Sequence, residues 1–310
     1  MSMVTVKDLH VRYGNVHAVR GVSFEIPKGE VFGFIGPNGA GKSSTIRVLA
    51  TLQREFAGTV SVNGIDVARH PDVIREKIGY MPDFFGVYED LTAAEYLHFF
   101  AAAYRLSRDE RLRTVNDVLE LTDLTHKADA PVDSLSRGMK QRLALARVLL
   151  HDPDVLLLDE PASGLDPRAR IEVRELLKAM QEMGKTILIS SHILHELAQL
   201  CTRIGIIEQG ELVAEGSLDD IFQQLSLKRT VHVQLSGPLN GIVEQISSIP
   251  GVESVDQQAD RLAIRLSEHE TAIEDLHTEI VRLGGRIRMF QPEAMDMETA
   301  FMKLTEGKTS

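Results

Sequence analysis

From Val4 to about Gly64 the apolar positions recur with the short spacing of strands. Val31-Phe32-Gly33-Phe34-Ile35 is a nearly continuous apolar run closed by glycine, which predicts a strand buried on both faces in the middle of a sheet. A helix is predicted over residues 42–52. Thr59-Val60-Ser61-Val62 and Ile65-Asp66-Val67 flank Asn63-Gly64, a pair that tolerates positive φ and so predicts a tight hairpin. From about Leu91 to Leu150 the pattern turns helical, and Tyr96-Leu97-His98-Phe99-Phe100 gives one helix a bulky apolar face. Two short apolar strands follow, at 155–158 and 186–189, separated by a helical stretch at 167–183. That β-α-β order implies a parallel sheet, so the first two thirds of the chain read as α/β.

The pattern changes near residues 224–229. Beyond it the chain reads strand 230–235, helix 240–249, strands 252–257 and 261–266, helix 271–283 and strand 286–290, with Pro250-Gly251 and Gly284-Gly285 at turns. This is the ferredoxin-like β-α-β-β-α-β order, and a short final helix is predicted over 297–304. Length agrees, since 310 residues give about two domains at roughly 150 residues each. The expected division is an α/β domain over 1–224, with a helical insert at about 88–150, and a small α+β domain over 229–310.

Composition narrows the partners. A formal charge of −11 offers no general attraction to a phosphate backbone, so nucleic acid is not an expected partner. The single cysteine, Cys201, cannot form an internal disulfide, which suits a reducing compartment and makes the cytoplasm the expected location. No secretory pattern is seen in Met1 to Asp8, and apolar runs such as Leu143 to Leu150, interrupted by Arg147, fall short of the ~20 residues that cross a bilayer. Any membrane role is expected to come through a partner.

Candidate chemistry begins with Gly36-Pro37-Asn38-Gly39-Ala40-Gly41-Lys42-Ser43, a full match to the phosphate loop between a predicted strand and a predicted helix. Glycines let backbone N–H groups curl around phosphate oxygens, and the helix end adds positive potential. Lys42 reaches the β and γ phosphates and Ser43 offers its hydroxyl to Mg²⁺. Val155-Leu156-Leu157-Leu158-Asp159-Glu160 ends a buried strand with two carboxylates, where open α/β sheets bind ligands. Asp159 suits the Mg²⁺ shell and Glu160 the activation of a water. Alone, the pair reads equally as a helix-start doublet. Leu135-Ser136-Arg137-Gly138-Met139-Lys140-Gln141-Arg142 opens another helix, which Ser136 can cap. It is either a plain N-cap or a second anion-binding corner near Gly138.

Taken in order, the phosphate loop, Leu135-Ser136-Arg137-Gly138-Met139, the acidic strand end, Ser163-Gly164-Leu165-Asp166 and His192 resemble the ATP-binding-cassette ATPase family over about Val4 to Gly216. The resemblance implies a P-loop NTPase cassette with a helical subdomain, binding ATP and Mg²⁺. It implies that two cassettes stack head to tail, each signature segment closing over the other's ATP, and a homodimer is the simplest assembly. It further implies that Tyr13, read as lying ahead of the first strand pair, stacks on adenine, and that Ser44 joins the nucleotide-binding residues. Ser136 and Gly138 would touch the γ phosphate. His192 would contact that phosphate and steady the attacking water beside Glu160. Asp166 would couple the two sites across the interface; as a residue on its own it caps the helix beginning at Pro167.

Two departures stand out. Asp83, in Ile78-Gly79-Tyr80-Met81-Pro82-Asp83, replaces the usual glutamine and can ligate Mg²⁺ but cannot donate to a phosphate. Arg137 and Met139 replace the commoner glycine and glutamine of the signature. The expected biological role is an ATP-hydrolysing subunit at the cytoplasmic face of the membrane, driving a separate integral-membrane permease. The aromatic segment from Phe84 to Leu91, expected in an exposed loop, would be either a docking groove for a permease helix or a local cluster pinning the helical insert. The carboxy-terminal module and Ala300-Phe301-Met302-Lys303-Leu304-Thr305 resemble cassettes of ABC-2 type exporters. The alternatives are a soluble cassette ATPase on ribosomes or DNA, and a regulator that senses a ligand through the terminal module.

Overall fold

The computed structural model describes residues 2–84, 86, 90–192, 200–217, 220–221, 229–236, 241–258, 261–267 and 273–292. The chain divides into two units between residues 218 and 219. The expected boundary at 224, the final helix over 297–304, the segment 300–305 and most of the aromatic segment after Phe84 lie outside the described residues. Phe84 itself is 90% exposed.

Among the described residues the first unit shows two sheets. One is antiparallel, built from β1 (Ser2–Tyr13), β2 (Val16–Pro27), β4 (Ala57–Val62) and β5 (Ile65–Asp66) in the order β2-β1-β4-β5. The predicted hairpin is β4–β5, and both turn residues are left-handed, Asn63 at φ 51° and Gly64 at φ 74°. The other sheet runs β10-β9-β3-β8-β7-β6, from β3 (Val31–Ile35), β6 (Ile78–Met81), β7 (Val155–Asp159), β8 (Thr186–Ser191), β9 (Arg203–Glu208) and β10 (Glu211–Gly216). Here β3 lies mid-sheet and parallel to both neighbours, buried along its whole length, as its apolar run requires. β7 and β8 are the predicted parallel pair. Phe24 and Phe32 stack at 5.1 Å between the sheets, against Ile46 and Leu49 of α1 (Lys42–Leu49). That helix stops three residues before its predicted end, and Thr51 turns left-handed at φ 62°.

After α2 (Pro71–Lys77) comes the helical insert: α3 (Ala93–Ala103), α4 (Arg108–Leu121) and α5 (Arg137–Leu149). α3 and α4 both begin with full capping boxes, Thr92 with Glu95 and Ser107 with Glu110. The bulky face of α3 turns inward at Tyr96, which is fully buried and accepts a hydrogen bond from Arg147 at 3.1 Å. α6 (Pro167–Glu182) crosses between β7 and β8.

The second unit comprises β11 (Arg229–Leu235), α7 (Ile242–Ser247), β12 (Val252–Gln258), β13 (Arg261–Leu266), α8 (Ile273–Arg282) and β14 (Ile287–Pro292). Its antiparallel sheet runs β12-β13-β11-β14, the ferredoxin-like order, around a core that includes Val231, Val233, Leu262, Ile264, Leu276 and Ile280. Among the described residues no helix is long and apolar enough to cross a membrane.

Candidate functional site

β3 delivers the chain to Gly36 and α1 leaves at Lys42, so the loop between them crests at the exposed Asn38 and Gly39, beside the half-buried Pro37. Two of its glycines are required by packing. A Cβ on Gly36 would lie 2.2 Å from the Ile207 carbonyl, and one on Gly41, at φ 109°, would lie 2.6 Å from the Ala18 carbonyl. Ala40 ties the loop down by accepting from the Gly210 N–H at 2.9 Å. Lys42 is buried, and its ammonium donates to the carbonyls of Gly36 at 2.7 Å and Pro37 at 3.2 Å. Burial pushes the Lys42 pKa down, while Glu160 and Asp159 pull it back up. Ser43 and Ser44 follow, half-buried in the first turn of α1.

β7 carries Asp159 and Glu160 to the same edge. Asp159 is buried and accepts from the Ser190 hydroxyl at 2.5 Å. That hydroxyl also accepts the Glu160 N–H at 3.0 Å, which helps hold Glu160 in left-handed backbone at φ 51°. One Glu160 oxygen, Oε2, meets His192 Nδ1 at 2.7 Å. The other, Oε1, is buried without a hydrogen-bond partner and lies 3.6 Å from the Lys42 ammonium. The structure therefore brings Lys42, Asp159, Glu160 and His192 together. Ser190 belongs with them and the sequence reading missed it. Its only signal is position, a hydroxyl closing an apolar strand beside the acidic one.

Ser136 is the N-cap of α5, accepting from the Met139 N–H at 3.3 Å, and Asp166 is the N-cap of α6, accepting from the Ala169 N–H at 2.9 Å. Both capping expectations hold in the geometry. Gly138 faces α6 so closely that a Cβ would come 2.9 Å from Ala169 Cβ. Asp83 follows β6, and its carboxyl pKa is raised by partial burial and by the neighbouring Asp159 and Glu160 carboxylates, with Arg137 and His192 opposing. Tyr13 does not lie ahead of the first strand pair. It is the last residue of β1, paired with Val16 of β2, because the strands extend to the very tip of the hairpin. Its ring is 40% exposed.

A family model described as "ABC transporter" matches residues 19–163. The linearmycin resistance ATP-binding protein LnrL of Bacillus subtilis (strain 168) is 34% identical over 309 residues, 99% of either chain. This chain belongs to the ABC transporter family of ATP-binding proteins. Nod factor export ATP-binding protein I of Burkholderia orbicola (strain AU 1054) is 42% identical to the cassette over 214 residues, 69% of this chain and 70% of its own. Among solved structures, an ATP-binding subunit of an ABC transporter superposes with a TM-score of 0.66 at 34% identity, covering 73% of this cassette chain and 94% of that one. A dimeric ATP-binding cassette in a post-hydrolysis state, bound to ADP and Pi, gives a TM-score of 0.62 at 28% identity, over 70% and 99%. The cassette is thus an ATPase of this family.

The residues fit a triphosphate with a divalent cation. Ser43, Asp159 and Asp83 are hard oxygen donors of the kind that Mg²⁺ takes, and the buried Glu160 oxygen lacks a hydrogen-bond donor. Among the described residues no group of three or more His, Cys, Asp or Glu could hold a metal ion.

Proposed function

We propose that this cassette is the ATP-hydrolysing subunit of an ABC-2 type exporter, a homodimer at the cytoplasmic face that drives a separate integral-membrane permease. The observation that carries the hydrolytic part is Glu160, paired with His192 at 2.7 Å and approached by Lys42 at 3.6 Å, beside the phosphate loop. Loop 36–41 and the positive end of α1 attract the phosphates of ATP, with Lys42 neutralising their charge and Ser44 close by. Glu160 orients a water and takes its proton as the water oxygen bonds to the γ phosphorus and ADP leaves. His192 steadies that geometry and offers a donor to the developing charge. Tyr13 stacks on adenine.

Ser43, Asp159 and Asp83 would hold Mg²⁺, which would supply positive charge against the phosphate oxygens. Ser136 and Gly138 would serve the nucleotide of the second copy, and Asp166 would couple the two sites. Export is supported by the words "export" and "resistance" in the names of the relatives. The same proposal has the terminal module acting in dimerisation or spacing.

The test is Glu160→Gln, which should keep ATP bound while hydrolysis falls by about two orders of magnitude or more, the loss expected without a general base. Hydrolysis at the parent rate would overturn the assignment. Purification of the native complex, with its membrane subunit identified, tests the exporter reading.

A further inference from the structure

Arginine at 137 stands between Ser136 and Gly138, where the common pattern has glycine. It is the first helical residue of α5 and exposed, yet its side chain is engaged, with Nη2 donating to the Ser163 carbonyl at 3.1 Å. Gly164 lies beneath it. A Cβ there would fall 2.3 Å from Nη2, 2.4 Å from Cζ and 2.6 Å from Nη1, near-equal distances that set the planar guanidinium face-on over the glycine. Two further ties run the same way. Gln141 Nε2 donates to the Pro161 carbonyl, and Gly138 packs against Ala169. The segment so held starts at Glu160 and ends at Asp166, the cap of α6.

We propose that Arg137 is a positioning residue, strapping the segment from Glu160 to Asp166 onto the end of α5 so that the hydrolytic loop and the Ser136–Gly138 corner of one chain move as one body. In a head-to-tail pair that corner serves the other copy's nucleotide, so the strap links the two hydrolytic sites through a single chain. The inference rests on the reading of Glu160 as the base.

Steady-state ATP hydrolysis by the full chain tests it, with Arg137→Ala, Arg137→Lys, Gly164→Ala and the Arg137→Ala/Gly164→Ala double variant. Arg137→Ala should lower kcat about 5-fold or more while KM for ATP stays within about 2-fold, the pattern of lost transition-state positioning rather than lost binding. Arg137→Lys should restore about half of that rate, because an ammonium can still donate to the Ser163 carbonyl. Gly164→Ala both displaces the guanidinium and strains backbone at φ 67°, so it should slow either background, but less in the Arg137→Ala chain than in the parent, where the guanidinium is still there to be displaced. The proposal is overturned by an Arg137→Ala kcat within about 2-fold of the parent, by a change in KM alone, or by Gly164 and Arg137 effects that simply multiply. If Glu160→Gln hydrolyses at the parent rate, the base assignment fails. If Glu160→Gln is inactive and Arg137→Ala is not slowed, the strap alone fails.

Discussion

Glu160 occupies a backbone region that costs a non-glycine residue on the order of 1 kcal/mol or more, and its N–H is held there by the Ser190 carbonyl at 3.2 Å and hydroxyl at 3.0 Å. The same hydroxyl fixes Asp159. Ser190→Ala should therefore loosen the carboxylate proposed as the base more than the loop proposed to hold the phosphates. We expect kcat to fall about 10-fold with ATP affinity changed less than about 3-fold, measured by steady-state kinetics beside equilibrium nucleotide binding. Lys42→Ala should do the reverse and weaken nucleotide binding itself, because a buried cation aimed at the loop carbonyls is removed. The phosphate loop and the two strand-end acids were legible as residues, since their spacing is local. Ser190 was not, because nothing in a serine says which strand will lie beside it in the sheet.

The starts of α3, α4, α5 and α6 are capped by side chains. Glu95 and Glu110 receive hydrogen bonds from Thr92 and Ser107, which hold both carboxyls below the usual range. A depressed folded-state pKa gives stability that is present above the unfolded value and lost as the pH falls through the folded one. Acidification below the ordinary carboxyl range should thus fray the first turns of α3 and α4 before the buried strands open, seen as lower amide protection there than at neutrality once the slower intrinsic exchange in acid is divided out. Unchanged protection would mean that the boxes contribute nothing.

Asp166 permits a cleaner separation. Asp166→Ala should cost about 1 kcal/mol for the lost cap, whereas Asp166→Asn keeps the cap and removes only the charge. A chain that is stable but slowed in the asparagine variant would assign Asp166 a role beyond capping. The expected element order survived in both units because hydrophobic period is a local property. The ends of α1 and α7 moved, since they depend on left-handed residues such as Thr51 and Gly241 that periodicity does not register.

For the whole molecule, the proposed sandwich predicts an association that depends on nucleotide. Glu160→Gln protein with ATP and Mg²⁺ should elute as a dimer in size exclusion with light scattering, and return to monomer with ADP. Persistent monomer under saturating ATP would count against the head-to-tail assembly.

The sequence by itself determined the strands and helices, the glycine-lined turn into α1 and the chemical kinds available, because each depends on residues a few positions apart. Tertiary structure decided which of those kinds meet. It set β7 between β6 and β8, brought Lys42 and His192 to opposite oxygens of Glu160, and laid Arg137 on Gly164. Those meetings follow from strand order and helix packing, which sum weak contacts over the whole first unit and leave no mark in any short stretch of chain.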